Sequence, residues 1–137
     1  MPSSRRVAAT IEEVAPLVEW IGQCAREAGV PEPRAAGLEI AVEEAFVNVC
    51  THAYMPPSSG SVRVCADATP AAFAVEIEDE GAPFNPLDAA AANVTAPLEE
   101  RRIGGLGIHF LRRFTDDAAY CRRDGANVLT LTVRLTR

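Results

Sequence analysis

Two short alternating segments separated by a tight link constrain the fold of this 137-residue chain most strongly. Residues 61–66 and 72–78 each alternate apolar residues with polar or small ones, and turn-forming residues around 67–70 separate them. Alternation with a period of two predicts a strand with one buried face, and so short a link makes the two strands antiparallel. The middle of the chain therefore predicts a β-hairpin.

A second hairpin is predicted at the end of the chain. Residues 118–123 and 128–135 would form its strands, and Asp124-Gly125-Ala126-Asn127 its turn, because Asp-Gly favours the tight turns of hairpins. Residues 5–9 could add a short first strand.

Two helices are predicted before the first hairpin. Thr10-Ile11-Glu12-Glu13 matches a capping box, in which the first and last side chains bind each other's backbone N–H groups. The helix that follows should stop at Gly29, and Pro16 predicts either a kink or a later start. Its apolar stripe consists of Val14, Leu17, Val18, Ile21 and Ala25. The second helix should run from about residue 33 to 53.

The segment between the two hairpins, residues 81–105, is loop-rich, with a short helix predicted near 87–92 and another helix following over 106–114. Hairpin-paired strands with helices in the minority indicate an α+β fold. We expect a two-layer α/β sandwich with a mixed, mostly antiparallel sheet and helices on one face. The other face of the sheet must then be exposed to solvent or covered by a partner. At this length residues 1–137 are predicted to form one domain.

The charge balance and the cysteines argue against several classes of protein. The net charge of −6 and the lack of a basic stripe argue against a nucleic-acid surface. No apolar signal-peptide core follows the first residues and no apolar stretch could span a bilayer, so we expect a cytoplasmic protein. The four cysteines are scattered singly, which predicts buried reduced thiols rather than disulfides or a zinc site.

The second predicted helix combines a buried sequence with a polar stripe. Residues 38–49 are mostly apolar, yet Glu44, Asn48 and His52 recur every fourth residue and so share one face. A solvated stripe of an amphipathic helix is one interpretation. The other is a phosphoryl-transfer site, because a carboxylate can deprotonate an attacking hydroxyl and an amide oxygen is a hard ligand for Mg²⁺. The helix alone leaves both open.

Asp79 and Gly81 follow directly on the strand at 72–78. A carboxylate at a strand end can accept a hydrogen bond from an exocyclic amine such as that of adenine, and a glycine lets the backbone approach a flat ligand. An ordinary turn after a strand would have the same sequence.

A glycine run, Gly104-Gly105-Leu106-Gly107, leads into the helix predicted at 106–114. Free amides at a helix N-terminus can form a phosphate site, because the N–H groups and the helix dipole point at the anion. The run is not a P-loop, since no Gly-Lys-Ser/Thr follows, and it lacks the preceding strand of a dinucleotide-binding fingerprint. A glycine hinge without a ligand is the alternative.

These elements occur in the order of a known family. The string from Glu44 to Tyr54 resembles the N-box of the GHKL ATPases, and more narrowly that of the anti-sigma-factor serine kinases, because it ends in His-Ala-Tyr. Residues 79–86 resemble the first glycine box of that subgroup, residues 104–107 its second, and residues 125–132 its terminal hairpin. Pro83 departs from the broader family, which often has a second glycine there.

The resemblance implies a role for each motif. Glu44 would be the general base, Asn48 the Mg²⁺ ligand, and Asp79 the adenine-binding residue with Gly81 beneath the base. The second glycine box would bind the phosphates of ATP through Gly104, Gly105, Leu106 and Gly107, and Thr130 would also contact the nucleotide.

The same resemblance implies that residues 85–103 form a lid over ATP. Arg101 and Arg102, at the end of that lid, could reach the terminal phosphate or could simply be solvated.

As a function, the resemblance implies an ATP- and Mg²⁺-dependent serine/threonine kinase. It would phosphorylate an anti-sigma-factor antagonist of the STAS type and hold a sigma factor inactive. It would bind neither nucleic acid directly nor a membrane, and it could form a homodimer. Two alternatives stay open at this point. One is a non-catalytic nucleotide-binding module, and the other is a stand-alone ATPase domain of the histidine-kinase type.

Overall fold

The computed structural model describes residues 2–52, 60–87 and 111–135. The elements in these ranges form one sheet and a layer of helices. They are β1 (Ser3–Ala8), a 3₁₀ turn (Ile11–Glu13), α1 (Val14–Glu27), α2 (Arg34–His52), β2 (Ser61–Ala68), β3 (Ala72–Asp79), β4 (Asp117–Arg123) and β5 (Ala126–Arg134). The strand order is β1-β2-β3-β5-β4. The two-layer α+β prediction is confirmed.

All four neighbouring strand pairs in the described ranges are antiparallel, so the expectation of a mixed sheet is wrong for these strands. Both predicted hairpins form, and β1 and β5 add to the β2–β3 hairpin in the antiparallel sense. No described pair therefore has the parallel geometry that a crossover connection would produce.

The core lies between the sheet and the two helices. Strand β3 shows the reason, because every second residue from Phe73 to Asp79 is buried and the residues between them are half-buried. Side chains alternate between the faces of a strand, so one row faces the helices. The opposite face carries charge: Arg63 Nη1 lies 3.6 Å from Glu78 Oε1, and Arg123 Nη2 lies 3.5 Å from Glu76 Oε1.

Helix α1 starts later than a capping box would place it. Thr10 makes no side-chain cap hydrogen bond, and its carbonyl instead accepts the N–H of Glu13 at 3.1 Å in a 3₁₀ turn. The α-helix begins at Val14, so Pro16 falls in the first turn, where a missing N–H costs no helical hydrogen bond. The capping-box prediction is thus wrong, and the prediction of a later start is confirmed.

Helix α2 packs its predicted apolar sequence into the core, with Leu38, Val42 and Phe46 fully buried. Ile40 is an exception to the predicted burial and is 40% exposed. Near the start of α2, Gly37 allows close packing, because a Cβ there would lie 2.6 Å from the Phe114 ring. The ring follows residues 111–113, which are helical, as predicted for the end of the 106–114 helix.

The β4–β5 turn is shorter than predicted. Asp124 and Gly125 have φ values of 54° and 80°, which is the geometry of a two-residue hairpin turn that favours Asp-Gly. Strand β5 therefore begins at Ala126, and Asn127 is a strand residue rather than a turn residue. This shift matters for the site, because it places the Asn127 side chain on a face of the sheet.

The cysteines are free thiols, as predicted, but they are not fully buried. Cys24, Cys50 and Cys65 are half-buried, and Cys121 is exposed. Burial raises the pKa of the Cys24 and Cys50 thiols, which makes these two poor nucleophiles. None of the helices in the described ranges is long and apolar enough to cross a membrane.

Candidate functional site

A pocket lies where α2 passes over the ends of β3 and β5. Its walls are mostly apolar, and three of its polar side chains come from three different elements: Asn48 from α2, Asp79 from β3 and Asn127 from β5. The apolar lining consists of Ala45, Val49, Ile77, Phe84, Pro86 and Leu129, with the Tyr120 ring beside them. An apolar slot with a few convergent polar groups is the usual form of a small-molecule site.

The register of β3 and β5 brings Asp79 and Asn127 together. Asp79 pairs with Asn127 across the two strands, and one step inward Ile77 pairs with Leu129. The two pairs are two residues apart, so all four side chains lie on the face that meets the helices. A polar cross-strand pair therefore occupies the last position of a row that is otherwise apolar.

Asp79 is a buried acceptor, with 5% of the residue exposed. Its Oδ1 accepts hydrogen bonds from the N–H of Gly81 and from Asn127 Nδ2, both at 2.9 Å. Its Oδ2 takes part in neither bond. A carboxylate with one oxygen bound to the protein can use its second oxygen to accept from a ligand.

Asn127 is the centre of the hydrogen-bond network around the pocket. Its Nδ2 also donates to the carbonyl of Ala82 at 2.8 Å. Its Oδ1 accepts from the Phe84 N–H at 3.2 Å, the Tyr120 hydroxyl at 2.5 Å and Arg122 Nη1 at 3.1 Å. Arg122 Nη1 donates in addition to the carbonyl of Gly81 at 2.8 Å. The network joins the segment after β3 to strands β4 and β5.

Sequence reasoning missed this network. It treated Asn127 as the last turn residue and gave Tyr120 and Arg122 no role. A usable signal was present, because a two-residue Asp-Gly turn places Asn127 in the strand, two residues before the core residue Leu129. A polar residue at a core position of a strand must find partners there.

The polar stripe of α2 meets the pocket at Asn48. Glu44 lies one turn earlier and is half-buried, and burial, followed by the negative charge of Glu43, raises the pKa of its carboxyl. His52, one turn later, stacks on the Phe84 ring with centroids 5.1 Å apart. Of the three residues of the stripe, Asn48 lines the pocket, and Glu44 and His52 lie one helical turn to either side of it.

Two groups of predicted site residues are not brought to this pocket. Thr130 pairs with Glu76 and Ala119, three residues from Asn127, so its side chain lies on the opposite face of the sheet. Thr130 is thus placed away from this pocket, and Asn127 is the β5 residue that lines its polar end. Gly104, Gly105, Leu106, Gly107, the arginine pair 101–102 and most of the predicted lid, residues 85–103, lie outside the described residues.

The pocket is suited to a flat ligand with an amino group. Apolar side chains can cover the faces of a ring, and the Asp79 carboxylate in the lining is of a kind that accepts hydrogen bonds from an amino group. The described residues contain no cluster of three or more His, Cys, Asp or Glu side chains that could hold a metal. A metal here would need few protein ligands, such as the Asn48 amide oxygen, with a phosphate ligand supplying others, which is the manner in which Mg²⁺ is usually bound.

Comparisons with known proteins agree with this geometry. The histidine kinase-like ATPase domain family matches residues 7–133. The chain is similar to serine/threonine-protein kinase BtrW of Bordetella bronchiseptica, with 32% identity over 95 residues that make up 69% of this chain and 67% of that one.

A solved structure has the same fold. It contains the RsbU and RsbW domains of Rv1364c from Mycobacterium tuberculosis and matches with a TM-score of 0.70 at 20% identity. The match covers 100% of this chain and 33% of that one, so the chain spans about a third of that protein's length. The family match implies ATP binding. The chain belongs to the histidine kinase-like (GHKL) ATPase domain family and is similar within it to a serine/threonine-protein kinase.

Proposed function

We propose that this protein is an ATP-dependent serine/threonine kinase that phosphorylates an anti-sigma-factor antagonist of the STAS type and holds a sigma factor inactive. The observation that carries the proposal is the meeting of Asn48 and Asp79 in one pocket, with Glu44 one helical turn from Asn48. The similarity to the kinase BtrW supports phosphoryl transfer to a protein hydroxyl as the reaction.

Each group would have a separate part in binding. The adenine ring would lie between the apolar walls, and its exocyclic amine would donate to Asp79. Asn48 would hold Mg²⁺ through its amide oxygen, together with the phosphates. When bound, the ion would neutralise charge on the transferring phosphate.

Glu44 would act on the attacking serine. It would orient the hydroxyl and accept its proton, a role for which a carboxyl with a raised pKa is better suited than an ordinary one. Burial, followed by the charge of Glu43, raises the pKa of the Glu44 carboxyl, which strengthens it as a base.

Two other functions fit the fold. A non-catalytic nucleotide-binding module would have no need of a base, so the half-buried Glu44, one helical turn from Asn48, counts against it. A stand-alone ATPase domain of the histidine-kinase type would phosphorylate a histidine on another chain. The product separates these functions, because phosphoserine is stable in acid and phosphohistidine is not.

The test measures phosphoryl transfer from γ-labelled ATP to STAS-type proteins of the same cell. It compares wild type with Glu44→Ala. Loss of a general base lowers rates by about 10²–10⁴-fold, while ATP affinity should change by no more than a few fold. Glu19→Ala is the matched control, since it removes an exposed carboxylate of α1 that does not line the pocket and should retain transfer. Wild-type transfer by Glu44→Ala would contradict the proposed catalytic role.

A further inference from the structure

A groove of about 370 Å³ lies at the surface between α1 and α2. Among the described residues it shares no lining residue with the pocket at the ends of β3 and β5. Each of its lining residues is half-buried or exposed. The lining of this α1–α2 groove consists of Val14, Ala15, Val18 and Glu19 from α1 and of Glu39 and Glu43 from α2.

The α1–α2 groove has an excess of negative charge. Residues 7–25 and 35–51 together contain six glutamates and no lysine, arginine or histidine. The Glu39 carboxylate has a basic partner, since Arg26 Nη1 lies 3.0 Å from its Oε2. Glu19 and Glu43 are exposed, and neither makes an ion pair within the described ranges. Two carboxylates on opposite walls are thus available to a ligand.

The surface between and beside these carboxylates is apolar. Val14 and Val18 are one helical turn apart, so they form a continuous strip along the α1 wall. Ile40 is 40% exposed and lies three residues before Glu43, so its side chain adjoins the α2 wall. Ile11, 60% exposed, lies three residues before Val14. Exposed apolar surface with a charged rim is typical of a site that binds another protein.

Charge and shape together select one class of occupant. Lys and Arg side chains can place an apolar stem against such a strip while their charged heads reach the carboxylates. An amphipathic helix presents both features to a groove between two helices. Nucleic acid and anionic lipid surfaces carry the same sign of charge as the groove and would be repelled. A second copy that docked the same groove around a two-fold axis would set glutamates against glutamates.

We propose that the α1–α2 groove binds a basic amphipathic helix of a partner protein that is not the phosphate acceptor. Glu39 and Asn48 are nine residues apart on α2, which is about two and a half turns, so they lie on opposite flanks of the helix. A helix bound in the groove therefore leaves the pocket open. The proposal rests on the proposed function only in that the acceptor must approach the pocket.

The experiment uses a synthetic amphipathic helical peptide as the probe, with leucines on one face and arginines along both edges of that face. Fluorescence anisotropy measures its binding to the full chain. Two comparison peptides carry glutamates in place of the arginines, or the same composition scrambled so that no apolar face forms. Wild type should bind the arginine peptide at least about tenfold more tightly than either, because only this peptide matches both charge and apolar strip.

Glu19→Lys together with Glu43→Lys should weaken binding of the arginine peptide by about tenfold or more, because like charges then face each other. Glutamine at the same two positions should cause a smaller loss in the same direction. Asp67→Lys together with Asp117→Lys is the matched control, since it makes the same charge change at two exposed positions outside the groove and should bind as wild type does.

Three results would overturn the proposal: equal weakening in the two lysine variants, equal binding of the scrambled peptide, or self-association of wild type that the groove variant abolishes. Saturating peptide should leave the ATP affinity unchanged to within about twofold, as for independent sites. Competition between the peptide and ATP would contradict the placement on opposite flanks of α2. Absence of ATP binding by a wild type that binds the peptide would instead contradict the proposed function alone.

Discussion

The two ends of the β3–β5 strand pair differ in the chemistry of the side chains that lie opposite each other. On the face that meets the helices, Phe73 lies opposite Val133 at one end, and Asp79 lies opposite Asn127 at the other. The pairs between them, Val75 with Leu131 and Ile77 with Leu129, are apolar. Three apolar pairs are thus followed by one polar pair, and the pocket begins where the chemistry changes.

The difference separates residues that hold the fold together from residues that bind. Both ends are buried, so burial alone does not distinguish them. The apolar end gains stability by removing surface from water. The polar end must offset the cost of burying a carboxylate and an amide, and it does so with hydrogen bonds. Substitutions at the first end should lower stability, whereas those at the second should lower ligand affinity.

Phe73→Ala should have the largest effect on stability. Phe73 is 2% exposed, and truncation of a buried phenylalanine costs about 3–5 kcal/mol. Denaturant unfolding measures this loss, and Phe73→Leu, which keeps most of the volume, should lose less than about 1.5 kcal/mol. The ATP affinity of any folded Phe73→Ala protein should be that of wild type. A changed affinity would mean that the two ends of the strand pair are not independent.

Asp79→Asn should show the opposite behaviour. The amide oxygen can still accept from Gly81 and Asn127, so the free energy of unfolding should change by less than about 1 kcal/mol. The new amide nitrogen would present a donor to the adenine amine, and ATP affinity should fall by roughly 5- to 150-fold. Thr130→Ala, on the opposite face, should bind ATP as wild type does. Equal losses of ATP affinity in Asp79→Asn and Thr130→Ala would refute the assignment of these two side chains to opposite faces of the sheet.

Asp116→Asn should have the smallest effect on stability. Asp116 lies near the apolar end of the strand pair, where its side chain binds the Arg134 N–H. Asp116 Oδ2 accepts from Arg34 Nη2 and from the Arg134 N–H, both at 2.6 Å, which ties the end of β5 to α2. The hydrogen bond from Arg34, followed by that from Arg134, holds the pKa of Asp116 below its ordinary value of 3.8. The pair is partly exposed, so its contribution should be about 0.2–1 kcal/mol.

The pH dependence of that contribution has a definite sign. Since the folded-state pKa is lowered, the stabilisation is fully present above the unfolded pKa and is lost as pH falls through the folded value. The difference in unfolding free energy between wild type and Asp116→Asn should therefore be measurable at neutral pH and vanish in strong acid. Asp117→Asn makes the same charge change on the next residue and serves as the control. A difference that grows in acid would contradict the assigned pKa direction.

The sequence predicted the elements of the fold well because its signals were local. Alternation gave β2 and β3, and the Asp-Gly pair gave the last hairpin. Predictions failed where the local sequence did not decide the structure. A 3₁₀ turn forms in place of the capping box predicted at Thr10, and the predicted hairpin turn was two residues too long because β5 begins at Ala126.

The site was only partly predictable for the same reason. Asp79 and Asn48 carry distinctive chemistry within recognisable motifs, and the structure brings both to one pocket. The role of Asn127 depends on strand register, because a shift by one residue exchanges the two faces of a strand. Tyr120 and Arg122 contact Asn127 through β4–β5 pairing, a relation that no spacing in the sequence displays.

Calorimetric titration of ATP into wild type and Asn48→Ala, each with and without Mg²⁺, tests the Mg·ATP site most directly. Wild type should bind ATP more tightly with the ion than without it. Asn48→Ala should lose that gain, because the pocket lacks its metal ligand, while weak ion-independent binding through Asp79 is retained. Absence of ATP binding by wild type, or an unchanged Mg²⁺ dependence in Asn48→Ala, would contradict the assignment of this pocket as the Mg·ATP site.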